Sequence, residues 1–115
     1  MKARKTNVVV IGSEAFTTAF RIIGIENTIE VKGIGKTEIQ EVINTIRGLI
    51  EEGKASIFIV EEEYLSVVEN IMEELKYSVF PIFISLPGPT RIRIHDPKSY
   101  YLNKIKGVLG ISIEI

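Results

Sequence analysis

The chain has 115 residues, the length of one domain of ordinary size, and a formal net charge of −1. That charge balance argues against a dedicated nucleic-acid or polybasic membrane protein, since both need a basic excess. Without cysteine there is no disulfide framework, thiolate metal site or cysteine nucleophile.

The basic opening, Met1-Lys2-Ala3-Arg4-Lys5, is followed by the short apolar run Val8–Ile11 and then Glu14. That run is too short for a signal peptide, and far from the roughly 20 residues that cross a bilayer. A cytoplasmic location with no membrane insertion is expected. The stretch Thr6–Gly12 reads as a strand buried on both faces and ending in glycine. In Glu14–Ile23, Phe16, Ala19, Phe20 and Ile23 recur at i, i+3, i+4 and i+7, one face of a helix that Gly24 stops. Thr28–Lys32 is a short second strand. Thr37–Glu52 is a helix with the stripe Ile39, Val42, Ile43, Ile46, Leu49 and Ile50. Thr37 and Gln40 form its expected capping box and Gly53 its stop.

Ala55–Val60 is a third strand, apolar almost throughout, and Glu62–Lys76 a third helix with Leu65, Val68, Ile71, Met72 and Leu75 inward. Phe80–Leu86 is a fourth strand. Pro81 cannot donate to a ladder, so it belongs at the strand's start or on an edge strand. Alternating strands and helices imply right-handed crossovers and an α/β fold: an open four-stranded parallel sheet, order 2-1-3-4, with flanking helices, receiver-like. Residues 1–86 form this domain, and 6–86 are expected to fold without the rest. Pro87-Gly88-Pro89 opens a linker that runs to residue 97. Within it Arg91-Ile92-Arg93-Ile94 alternates, and Asp96-Pro97 is a helix-start signal. Residues 98–115 form a C-terminal amphipathic segment. Its helix, Lys98–Leu109, sets Tyr101, Leu102, Ile105, Val108 and Leu109 on one side, and a tail alternates from Ile111 to Ile115. With three helices already on the sheet, that apolar side is expected to dock on another protein.

No set of residues reads as an active site, and no cofactor or metal is expected. Gly33-Ile34-Gly35-Lys36-Thr37 resembles the end of a phosphate-binding loop, but the first glycine of such a loop falls on Glu30. A carboxylate there repels phosphate, so the segment reads as a turn. Gly12-Ser13-Glu14 has one glycine where a dinucleotide fingerprint needs three. Glu61, Glu62 and Glu63 end the third strand, where a receiver carries its phosphoacceptor aspartate. They read instead as acidic residues at a helix start, favoured by its dipole. His95, the one histidine, has no nucleophile near it in sequence. Arg91, Arg93, Lys98, Lys104 and Lys106, interleaved with Tyr100 and Tyr101, suit an acidic protein surface or, more weakly, RNA.

Several segments together resemble the F subunit of the archaeal/vacuolar-type (V-type) rotary ATP synthases. Val8-Val9-Val10-Ile11-Gly12 and Ala19-Phe20-Arg21-Ile22-Ile23-Gly24-Ile25 are similar to that family's opening strand and its G-F-R-L-A-G segment. Pro81–Gly88 resembles its last strand and P-G turn. Ser99-Tyr100-Tyr101-Leu102 and Val108-Leu109-Gly110-Ile111 resemble its closing helix and terminal V-G-I-D-I, with Ser112 in place of the aspartate. The resemblance implies a non-catalytic member of the central stalk that binds the coiled-coil D subunit of the stalk and other subunits of the rotary ATPase. It binds no nucleic acid and reaches the membrane only through the complex. Arg21, Tyr101, Leu102, Ile105, Val108 and Leu109 are its expected partner-binding residues. The competing reading is a stand-alone receiver-like regulator holding a small ligand near Ser13, Lys36 and Glu61.

Overall fold

Two strands carry no polar alternation, and both lie in the middle of the sheet. The computed structural model describes residues 7–89 and 97–109. Strands β1 (Val8–Gly12) and β3 (Ile57–Glu61) are buried along their whole length. They pair in parallel, with Val8 opposite Ile57 and Ile11 opposite Val60. The short β2 (Thr28–Glu30) flanks β1, and β4 (Ile82–Leu86) flanks β3, so the order is β2-β1-β3-β4 and every pairing is parallel. The short, less apolar β2 takes one edge and the less buried β4 the other, while the strands at the centre are covered on both faces.

The helices are α1 (Glu14–Ile23), α2 (Lys36–Glu51), α3 (Leu65–Glu74) and α4 (Pro97–Leu109). The step from β1 to β2 runs one way across the sheet, and the steps from β2 to β3 and from β3 to β4 run the other way. Right-handed crossovers therefore put α1 on one face and α2 and α3 on the opposite one. Side chains of alternate strand residues serve the two faces. Val9, Ile11, Phe58 and Val60 meet Val42, Ile46, Val68 and Ile71 of α2 and α3. Val8, Val10, Ile57 and Ile59 meet Phe16, Phe20 and Ile23 of α1.

The helix ends follow local chemistry. Ser13 caps α1, its Oγ accepting from the Phe16 N–H at 3.3 Å. Gly24 closes α1 in the left-handed region, φ 111°, where a side chain is disfavoured. At α2 the cap differs from the expected box. Gly35 is the capping residue and Thr37 lies one residue inside the helix, while Gln40 donates to Asn44 Oδ1 at 2.9 Å. The carboxylate of Glu38 lies against Gly35. The third helix is also shorter than the expected Glu62–Lys76. Glu62–Tyr64 form a 3₁₀ turn before α3, and Leu75 ends it. Strand β2 stops at Glu30, although the Val31 N–H still donates to Gly12 O at 2.8 Å. Pro81 sits just before β4, an edge strand; the Phe80–Pro81 peptide is cis.

The main correction concerns α4. A single helix, α1, cannot cover its face of the sheet, and α4 fills the remainder. Tyr101 is wholly buried, its ring 5.4 Å from Phe16 and 4.6 Å from Phe20, and its hydroxyl donates to Pro87 O at 2.6 Å. Ile105 is buried in the same cluster, and Tyr100 and Leu102 pack against it half-buried. The apolar side of this helix thus lies on the chain's own sheet. The alternation at Arg91–Ile94, His95 and the tail Ile111–Ile115 lie outside the described residues, as do the side chains of Val108 and Leu109.

Tyr101→Ala is expected to cost about 3–5 kcal/mol by urea unfolding, as for other buried aromatic truncations. Tyr101→Phe removes only the bond to Pro87 and costs about 1 kcal/mol. Burial, then the Glu61 charge and Tyr100, push the Tyr101 phenol well above its ordinary value. In the unfolded chain tyrosine ionises near pH ~10. The folded protein therefore binds more protons above that pH and loses stability as pH rises toward the folded value. Urea midpoints across that range should fall less steeply for Tyr101→Phe. A chain cut after Leu86 uncovers Phe16 and Phe20, and it should show a lower and broader thermal transition than the full chain.

Candidate functional site

In open parallel sheets ligands collect at the C-terminal ends of the strands. Here that end is occupied by a side chain. Glu61, the last residue of β3, is only 3% exposed. Its Oε1 accepts from the Ser13 N–H at 2.8 Å, at the N-terminus of α1. A carboxylate there answers both an unpaired helix N–H and the positive end of the helix dipole. Two glycines make room for it. A Cβ on Gly12 would lie 2.8 Å from Glu61 Oε1 and 2.6 Å from the Phe16 ring, and one on Gly88 would collide with Glu61 Oε2.

Of the expected ligand-binding residues, Ser13 and Glu61 are engaged with each other. Ser13 is used as a helix cap and as a donor to Glu61. Lys36 opens α2, and Glu38 lies over the turn before it. Among the described residues no group of three or more histidine, aspartate or glutamate side chains gathers as a metal site. A groove of about 410 Å³ lies elsewhere, between α2 and the β1–β2 edge, lined by Asn7, Val9, Asn27, Thr28, Ile29, Thr45, Leu49 and Lys54. Burial, then the charges of Glu61 and Glu63, push the Tyr64 phenol up from its ordinary value.

The partner-binding residues divide into inside and outside. Arg21, in the last turn of α1, is exposed and donates from Nε and Nη2 to Thr28 Oγ1 at 3.2 and 3.1 Å. Its neighbour Ile22 is exposed as well. Tyr101 and Ile105 face inward, and Leu102 is half-buried at the rim. Lys98, Lys104 and Lys106 of α4 are all exposed, with the Lys104 ammonium 5.5 Å from the Tyr100 ring centre.

A second surface is not anticipated from the helical periodicity. Tyr77, Val79, Phe80 and Ile82, on the connection into β4, are exposed by 92, 78, 61 and 43%. Residues 77–89 contain no charged side chain, and that long uncharged stretch is the one signal that marks it.

Glu61→Gln keeps the shape and loses the charge at the α1 N-terminus, at an expected cost of about 1 kcal/mol in urea unfolding. Gly88→Ala drives a methyl into the carboxylate and should cost about 1–3 kcal/mol. If Gly88→Ala were made in the Glu61→Ala background, most of that penalty should disappear, and a double-mutant cycle measures this directly.

Residues 8–105 match the family model described as ATP synthase (F/14-kDa) subunit. The chain is 27% identical over 105 residues to the F subunit of the A-type ATP synthase of Methanococcoides burtonii, covering 90% of this chain and 94% of that protein. It is 29% identical over 106 residues to the F subunit of the A-type ATP synthase of Methanothermobacter thermautotrophicus, again covering 90% and 94%.

Proposed function

This chain belongs to the family of the ATP synthase (F/14-kDa) subunit, and on that premise we propose that it is a non-catalytic component of the central stalk of an A-type rotary ATP synthase. Other subunits of the complex are its partners. The finer reading is that it binds the coiled-coil D subunit of the stalk and helps couple ATP synthesis or hydrolysis to ion movement. The observation that carries this reading is the match over residues 8–105, which spans the whole sheet and most of α4.

The chemistry of the strand ends and turns agrees with a role by contact. The strand ends that hold ligands in related sheets are closed by Glu61, Gly12 and Gly88. The turn before α2 carries a carboxylate against its glycine, where a nucleotide site needs backbone N–H groups open to phosphate. No described helix is long and apolar enough to cross a membrane. The proposed place is peripheral, on the cytoplasmic face, held through the other subunits.

Within this reading Arg21, Leu102 and the lysines of α4 are available for docking with the fold unchanged. Contacts by Tyr101 or Ile105 require α4 to leave the sheet and expose Phe16 and Phe20. Gly107 bears on this, because a methyl there meets nothing within 4 Å. Gly107→Ala should stabilise α4 by about 1 kcal/mol.

The test is reconstitution of the full chain with the stalk and catalytic subunits. Lys98→Glu with Lys104→Glu and Lys106→Glu should weaken assembly, most visibly at low salt. Purified chain should hydrolyse no ATP. Turnover lost in Lys36→Ala, or an assembled complex that excludes the wild-type chain, would overturn the proposal. If the helix must swing out to couple, Gly107→Ala lowers ATP-driven turnover of the complex while raising the melting temperature of the free chain. Unchanged turnover means that α4 works in place.

A further inference from the structure

The outer edge of β4 is one of the two open edges of the described sheet, with Pro81 just before it. Strand β4 pairs with β3 on one side, and no described strand pairs with the other. Its residues are also less buried than those of β1 and β3, with Ile82 exposed and Phe83 and Ile84 half-buried. Open sheet edges present unpaired N–H and C=O groups, and proteins blunt them with lysine, bulges or a covering element. Here the connection and strand add Tyr77, Val79, Phe80 and Ile82 to the exposed surface without a charge from 77 to 89. A monomeric soluble protein rarely keeps so continuous an apolar strip open to water.

The charges on the two sides of the strip have opposite signs. Glu74 of α3 takes both guanidinium nitrogens of Arg47 on α2, at 2.7 and 3.0 Å, so that flank of α3 faces α2. At about 3.6 residues per turn, Glu69 and Glu73 project from the other flank, toward β4. Both are exposed; Glu73 pairs with Lys76 at 2.7 Å. On the opposite face of the sheet, Lys104 of α4 lies beside Ile84 and Leu86. The edge thus runs between Glu69 with the Glu73–Lys76 pair on one side and a single lysine, Lys104, on the other. A second copy paired edge to edge about a two-fold axis perpendicular to the sheet keeps like faces together. It sets Glu69 against Glu69 and Lys104 against Lys104, which repel, while Glu73 is already paired with Lys76.

We propose that the β4 edge, from Tyr77 to Leu86, is a docking surface for one amphipathic helix of a neighbouring protein in the complex. That helix has an apolar stripe flanked by basic residues toward Glu69 and Glu73 and by acidic residues toward Lys104. An apolar stripe between charged flanks is the pattern of a coiled-coil strand. Phe80 and Val79 are the anchors, because aromatic and large apolar side chains at the centre of a contact carry most of its energy. The charged rims set orientation and encounter rate. This site rests on the central-stalk reading above and gives it a location.

The experiment uses the full chain and the recombinant D subunit of an A-type stalk, with affinity measured by titration calorimetry at low and high salt. Val79→Asp with Phe80→Asp should weaken binding at least tenfold, with the melting temperature of the free chain unchanged, since both positions are exposed. Ile34→Asp, at a position 85% exposed in the β2–α2 turn, should leave binding unchanged. Glu69→Lys with Glu73→Lys should weaken it more at low salt than at high salt. Wild-type binding that survives both double substitutions overturns the β4 site and leaves the stalk reading standing. A free chain that dimerises, and becomes monomeric in Val79→Asp with Phe80→Asp, overturns it in favour of self-association. A wild-type chain that does not bind the stalk coiled coil overturns both.

Discussion

The contact on which the rest of the fold converges is the one between the Glu61 carboxylate and the N-terminus of α1. Glu61 ends the central strand β3, and Ser13 opens the helix that follows the other central strand. Burying a carboxylate is costly unless hydrogen bonds and a favourable field compensate. The Ser13 N–H and the helix dipole supply both. The carboxylate then dictates its neighbours. Gly12 must lack a side chain, and so must Gly88 on the segment leaving β4. That segment passes close to β3 and presents Pro87 O to the Tyr101 hydroxyl. One buried group therefore ties the ends of three strands to α1 and, through Pro87, to α4. It also occupies the end of the sheet at which open parallel sheets hold ligands.

The outer surfaces follow from the topology. The reversal of direction at β1 places α1 alone on one face, and a single helix leaves half of that face open. Closure by α4 uses Tyr101 and Ile105 and leaves the lysines exposed. The same topology leaves β4 at an edge, next to α3 on one face and α4 on the other. A chain that works by contact with several neighbours can use an edge strand and a helix held at the end of the chain at once. The Arg47–Glu74 pair, which holds Glu74 below the usual carboxylate range chiefly through its hydrogen bond, is exposed and adds little to stability.

Much of this architecture is legible in residue order. Continuous apolar runs at Val8–Ile11 and Ile57–Val60 identify buried parallel strands, because only a strand covered on both faces lacks a polar side. The spacing Phe16, Ala19, Phe20, Ile23 gives α1 with its observed bounds, and the order of strands follows from handedness and from the polarity of Thr28–Lys32. Caps are less legible. Thr37 and Gln40 have the spacing of a box, yet Gly35 starts the helix and Gln40 turns to Asn44 instead.

The functional surfaces divide in the same way. An amphipathic helix at 98–109 is written in its own periodicity, which says that one side is buried but never against what. Tyr101 and Ile105 spend that side on the chain's own sheet because α1 leaves space there, a fact about area and not about sequence spacing. Glu61 reads locally as one acidic residue among three. Its burial depends on Ser13, 48 residues earlier, and on Gly88, 27 later. The apolar strip at Tyr77–Ile82 has the composition of a core strand. Ile82 is on the surface because β4 ends the strand order, and Tyr77, Val79 and Phe80 because they lie on the connection before it. Local pattern thus decides which residues form each element and which side is apolar, since both depend on neighbours a few residues apart. The partner of each apolar side is decided by three-dimensional closure, which brings together residues that are distant in the chain.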